Sequence, residues 1–323
     1  MLAADHRCID VHHHIVPPFY IDEYRDQIAA GRGGQLSPAW TGWSPEASIA
    51  AMDAVGVSTS VLSLSTPGVW FGDAQRARDT ARRVNEYAAG LVAKHPGRYG
   101  FFAAMPLPDP DGSLAEIAYA LDTLKADGIG LLTSYGDMWL GDTRFEPVMA
   151  ELNRRKAVTF VHPSVPFCCR NIFPEVIPMI AEVPADTTRT VTNMLFKGTF
   201  ARHRDIRWIF CHAGGFLPMV AGRISYYGQE EMKTQAPDGV EAELARLNYD
   251  LGGTVSKPAI AALLATAPVS QILMGSDFPY VPLSNTVDGL DALSRSGLGL
   301  TVADLEAMTR SNALRLMPRL GTV

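Results

Sequence analysis

The chain has 323 residues, of which 47% are hydrophobic and 19% charged, the composition of a water-soluble protein with a sizeable core. A net charge of -6, with no run of Lys and Arg to offset it, argues against nucleic acid or an anionic membrane surface as the main partner. Asp5, His6, Arg7 and Asp10 interrupt any signal-peptide core, and no apolar run is long enough to span a bilayer.

From the N-terminus, apolar runs of strand length recur at 8–16, 57–65, 99–107, 128–135, 157–163, 206–214, 247–253 and 271–279. Most are separated by segments with apolar residues at helical spacing, among them "SPEASIAAMDAVG", "TARRVNEYAAGLVAKH", "SLAEIAYALDTLKADG" and "RFEPVMAELNRRKA". Strands that are apolar throughout and alternate with helices imply a parallel sheet covered on both faces. Eight of them fit an α/β fold of the (β/α)8 barrel kind, a single domain over residues 1–323, since no linker or composition shift divides the chain. An open doubly wound sheet is the alternative, but no G-x-G-x-x-G follows the first strand.

In a barrel, chemistry gathers where the strands end. The first run, "CIDVHHHIVPP", carries three histidines. In a strand His12 and His14 share one face and His13 points to the other. Two imidazoles so placed can reach one metal ion. The fifth run ends with His162, the sixth with His212 and the eighth with Asp277. Histidine nitrogens with a carboxylate suit zinc, and also manganese, iron or cobalt. Five protein ligands would leave no open position for water or substrate, so one residue of the set is expected to act as acid or base. His13 is expected to support or pack behind the site, His95 and His203 to be solvated in polar connections, and His6 merely precedes the first strand. The four cysteines, Cys8, Cys168, Cys169 and Cys211, fit neither a disulfide framework nor a paired zinc site. A cytoplasmic protein with reduced thiols is expected, with Cys8 and Cys211 in the core.

In this order "IDVHHHIVPP", "VHP", "HAGG" and "GSDFP" resemble the amidohydrolase superfamily, specifically the branch that includes aminocarboxymuconate semialdehyde decarboxylase and 6-methylsalicylate decarboxylase. "WSPEASIAAMDAVGV", "PADTTRTV", "GRIS" and "NALRLMPRL" extend the resemblance over nearly the whole chain. It implies a distorted barrel with one divalent metal, zinc first and manganese second, held by His12, His14, His162 and Asp277. His212 would serve in acid/base work, and either His212 or Asp277 would deliver a proton. The fourth run ends "GLLTSY" without the lysine that bridges two metals in binuclear relatives, which favours one ion. Arg223 in "GRIS" matches an arginine that reaches a neighbouring subunit's site to bind a carboxylate, implying a homodimer or higher oligomer.

The reaction so implied is non-oxidative decarboxylation of a small aromatic acid, a hydroxybenzoate similar to 6-methylsalicylate. The alternatives are hydrolysis of a lactone by the same metal and, less in keeping with an intact ligand set, an inactive metal-binding protein. Ser48 stands where the aminocarboxymuconate enzymes have an arginine for a second carboxylate, so the substrate is expected to carry one carboxylate fewer. Trp70, Phe71, Trp139, Phe167 and Phe278 could stack on an aromatic ring, although for each taken singly a plain role in packing is the first expectation.

Overall fold

The computed structural model describes residues 8–30, 36–169, 172 and 175–321. His6 lies outside them. Eight parallel strands run in sequence order: β1 (Cys8–His14), β2 (Val57–Ser63), β3 (Tyr99–Ala104), β4 (Gly128–Leu132), β5 (Val158–His162), β6 (Arg207–Phe210), β7 (Asn248–Asp250) and β8 (Ile272–Leu273). β8 is only two residues long, yet the extended chain after it closes the barrel on β1. The amide of Val11 donates to Met274 O at 3.0 Å, Asp277 N to His12 O at 2.8 Å and His14 N to Phe278 O at 2.7 Å. His13 and Phe278 form a parallel bridge across the same seam. This is the expected (β/α)8 barrel, distorted at the closure.

The strands are short because each stops where polar function begins. β5 covers 158–162 of the expected 157–163, and β7 only 248–250 of 247–253. The helices between them follow local signals. In "SPEASIAAMDAVG", Ser44 accepts from the Ala47 amide, Pro45 opens the helix Pro45–Val55, and Gly56 ends it at φ 77°. "SLAEIAYALDTLKADG" differs from expectation: its α-helix stops at Ala118 and continues as one wide π turn over Tyr119–Thr123.

The barrel interior is filled, not hollow. Ile9, Val11, Val61, Phe160, Ile209 and Leu273 meet inside it, and the Phe102 and Phe160 rings stack at 4.9 Å. Ala313, Leu316, Met317 and Leu320 from the C-terminal segment plug the lower end. A ligand can therefore approach only over the C-terminal ends of the strands, where the histidines stand. Among the described residues, no helix is long and apolar enough to cross a membrane.

Candidate metal centre and cavity

The structure brings all five residues of the expected constellation together. His12, His162, His212 and Asp277 each offer a ligand atom, and these atoms lie within 4.8 Å of one another. His14 joins them, its Nε2 3.1 Å from His12 Nε2 and 3.0 Å from Asp277 Oδ1.

The outward-facing nitrogens decide what these atoms can bind. His12 Nδ1 donates to the Asp250 carboxylate at 3.0 and 3.1 Å. His14 Nδ1 donates to Ser63 O at 3.2 Å, and His162 Nδ1 to Pro163 O at 2.8 Å. With each proton on Nδ1, three Nε2 lone pairs turn inward. Two of them face each other at 3.1 Å with an Asp277 oxygen 3.0 and 3.3 Å away. Such a convergence of nitrogens around an anionic oxygen calls for a positive charge among them, a proton on His12 Nε2 or, in its place, a metal ion. The donor set, imidazole nitrogen with one carboxylate oxygen, fits a divalent transition ion or zinc.

The protonation preferences agree. Burial pushes His14 down to about 4, and burial with the neighbouring His14, His12 and His212 holds His162 well below the usual histidine value. Both are neutral ligands at neutral pH. Burial also opposes charge on His12, but Asp250 and Asp277 outweigh it and raise this one ring well above the usual value. Asp277 stays well below the ordinary carboxylate range: burial would raise it, but the imidazoles of His12, His14 and His212 around it, with His12 the raised one, favour its anion. Asp250 is likewise lowered against its burial by His12.

Local backbone serves the same end. Asp277, His212 and Ala213 have φ of 66°, 56° and 55°, a left-handed conformation that non-glycine residues adopt at a cost. A side chain at Gly252 would lie 2.5 Å from His12 Nδ1, and one at Gly275 2.8 Å from His12 Cβ, so only glycine lets β7 and β8 clasp this ring.

Two buried carboxylates that sequence reasoning passed over hold the constellation. Asp250 ends β7 as His162 ends β5, and a charged residue closing an apolar strand run was the available signal. It accepts from His12, from His212 N at 3.2 Å and from Gly252 N at 2.8 Å. Asp10, inside β1, accepts from His12 N, from Ser276 N and Oγ, and from His13 Nδ1 at 3.0 Å. His13 points away from the metal ligands; its Nε2 pairs with Ser48 Oγ at 2.8 Å, which Tyr99 OH also reaches at 2.9 Å. The middle histidine of "HHH" is thus the centre of a buried polar chain behind the site.

Several expectations are corrected. Ser48 is fully buried in that chain and does not line the cavity. His203 is buried and pairs with Glu146 at 2.8 Å, so it is not solvated, and His95 is half-buried against Tyr99. Trp139 donates to Asp186 at 2.8 Å, Phe71 stacks on Tyr24 and Phe278 on His13. None of the five candidate stacking aromatics lines the cavity. Arg223 sits on the exposed face of the helix Leu217–Tyr227, over the Tyr227 ring, and does not line the cavity of its own chain. Cys8 and Cys211 are buried.

Above the ligand atoms opens a cavity of about 850 Å³. His162, His212 and Asp277 reach it from the barrel, and its walls are mainly apolar, with Ile180, Val183, Phe216 and Met219 facing Tyr280 and Val281. Among the described residues lining it there is no lysine or arginine. His212 lies at this boundary, with Nε2 3.6 Å from Asp277 Oδ2 and Nδ1 without a hydrogen-bond partner.

The model of a family described as "Amidohydrolase" matches residues 9–319. The chain belongs to the amidohydrolase family. This amidohydrolase is 35% identical to decarboxylase yanB of Aspergillus niger, over 96% of the chain and 87% of that protein. It is 34% identical to 6-methylsalicylic acid decarboxylase acuB of Aspergillus aculeatus, over 97% and 96%. Among solved structures it resembles one titled amidohydrolase II, with TM-score 0.89 and 29% identity over 96% of the chain and 99% of the other. A manganese complex of 5-carboxyvanillate decarboxylase from Novosphingobium aromaticivorans shares the fold, with TM-score 0.87 and 20% identity over 98% and 97%.

Proposed function

We propose that the chain is a metal-dependent, non-oxidative decarboxylase of a small hydroxybenzoic acid similar to 6-methylsalicylate. The observation that carries this reading is the set of imidazole Nε2 atoms that converge on Asp277 at the floor of an apolar cavity, among whose described lining residues there is no lysine or arginine. Decarboxylases at about one-third identity over nearly the full length support it.

His12, His14, His162 and Asp277 would hold one divalent ion, zinc or manganese. Bound there, the ion would supply Lewis-acid chemistry toward the substrate's carboxylate or neighbouring hydroxyl. The chain does the rest. Its apolar walls bury the ring and exclude water, and the lack of lysine or arginine disfavours a second carboxylate. The C–C bond to the carboxylate breaks, its electron pair stays on the ring carbon, and His212 delivers the proton that replaces carbon dioxide. His212 suits this task because it borders the cavity with one nitrogen unclaimed, whereas Asp277 is held anionic by three histidines.

A homodimer fits the exposed apolar residues Phe216, Met219, Tyr226 and Tyr227 around Arg223, a patch of the kind that marks association. Arg223 would then offer its guanidinium to the neighbouring subunit's substrate. A cytoplasmic location and a single domain over 1–323 complete the reading.

The test is to follow carbon dioxide release from 6-methylsalicylate, salicylate and dihydroxybenzoates by the metal-loaded protein. Release from at least one of these acids, with the matching phenol as product, supports the reading. Metal-loaded protein that releases none but opens a lactone would replace it with hydrolysis.

A further inference from the structure

The segment "PADTTRTV" has no role in the chemistry above, yet its polar side chains point into the molecule. It lies in the helix Pro178–Phe196, whose first turns wall the cavity. Asp186 is fully buried, and its carboxylate accepts from Thr133 Oγ1, from Ser134 Oγ at 3.0 Å and from Trp139 Nε1 at 2.8 Å, with Ser164 Oγ at 3.4 Å. Thr133 and Ser134 follow β4, and Ser164 lies two residues beyond His162. The same Thr133 Oγ1 receives the Ser164 amide at 2.9 Å, and the Thr133 amide donates to His162 O at 2.9 Å. His162 in turn fixes its ring through Nδ1 on Pro163 O. Asp186 is thus linked through the Thr133 hydroxyl to the Ser164 amide, two residues beyond His162, while the amide of the same Thr133 holds the His162 carbonyl.

Two further residues of the segment act alike. Thr190 Oγ1 donates to Thr133 O at 2.8 Å, and Thr188 Oγ1 receives the amide of Phe216, four residues after His212. Gly215 packs so closely on Pro184 that a side chain there would lie 2.2 Å from the Pro184 carbonyl.

We infer that Asp186 is a positioning residue: through Thr133 and Ser164 it sets the direction of the His162 imidazole and fixes the cavity wall against it. A buried carboxylate facing several donors is what such a joint requires. An amide in its place offers one oxygen and turns two hydrogens toward hydroxyl and indole donors. This inference rests on the metal-site reading proposed above.

The experiment compares wild type with Asp186→Asn, Thr133→Val and Thr133→Ser. It measures the dissociation constants for Zn²⁺ and Co²⁺ by chelator competition, the visible spectrum of the Co²⁺ form and the thermal midpoint. Asp186→Asn and Thr133→Val should each weaken metal binding about tenfold and change the Co²⁺ band intensities, while Thr133→Ser, which keeps the hydroxyl, restores both. A lowered thermal midpoint with unchanged metal affinity and spectrum in both weakened variants would reduce Asp186 to a structural bond and overturn the inference. If Asp186→Asn does not fold, Thr133→Val decides alone. Wild type that binds neither ion would instead refute the metal-site reading.

Discussion

Replacing Asp250 with asparagine tests how the protein prepares His12 as a ligand. The carboxylate receives three donors: His12 Nδ1 on both oxygens, and His212 N and Gly252 N on one. Asparagine has nearly the same shape but one oxygen. If that oxygen serves the two amides, the NH₂ group meets His12 Nδ1–H donor to donor. The ring then tilts or moves its proton to Nε2, which withdraws the lone pair aimed at the site. Losing such a supporting carboxylate weakens metal binding about 10- to 100-fold, or about 1.4 to 2.7 kcal/mol. Alanine is the poorer probe. It orphans three buried donors at about 1–3 kcal/mol each, comparable with a whole domain's stability of about 5–15 kcal/mol. The assay is competition with a chromophoric chelator at pH 7, with circular dichroism to confirm folding. A folded Asp250→Asn protein whose metal affinity stays within twofold of wild type would refute the reasoning.

Other outcomes follow from the same geometry. Metal binding at pH 7 should release about one proton, because His12 alone among the ligand histidines is raised, while His14 and His162 are lowered; calorimetry in buffers of different ionisation enthalpy measures it, and zero release contradicts it. Metal-free protein should lose stability as pH falls from about 6.5 to 4, by about 3 kcal/mol from His14 alone. Its folded value is depressed, so in that window the unfolded chain binds the proton and the folded chain does not; denaturant melts that stay flat over this range would count against a buried neutral His14. His212→Asn should keep the metal and lower kcat by about 10² or more, and a loss under tenfold would remove His212 as the proton donor. Ser48→Ala should cost about 1–3 kcal/mol by leaving the buried His13 Nε2 without its partner, while Tyr99 OH keeps Pro45 O, and should leave KM for a hydroxybenzoate unchanged.

The sequence carried the barrel well because parallel strands are apolar on both faces and their helices are capped by local signals such as Ser44, Pro45 and Gly56. His12, His14, His162, His212 and Asp277 were legible because a strand's end is visible in sequence and barrels place chemistry there. What supports them was not. Asp250 and Asp10 act through partners 238 and 266 residues away, His12 and Ser276, which no local pattern connects. Ser48 shows what a matched position leaves out: its side chain turns inward to His13, a partner that no local pattern connects to it. The cavity's apolar walls come from helix starts and loops such as Ile180 and Phe216, whose approach depends on tertiary packing around Asp186 and Thr188.

The most direct test of the central claim is a stepwise titration of metal-free protein with Mn²⁺ or Zn²⁺ while carbon dioxide release from a hydroxybenzoate it accepts is recorded. The account predicts a rate that rises in proportion to added metal and levels off at one ion per chain, with His162→Ala abolishing the rise. Full decarboxylation by the metal-free protein, or a plateau only at two ions per chain, would contradict it.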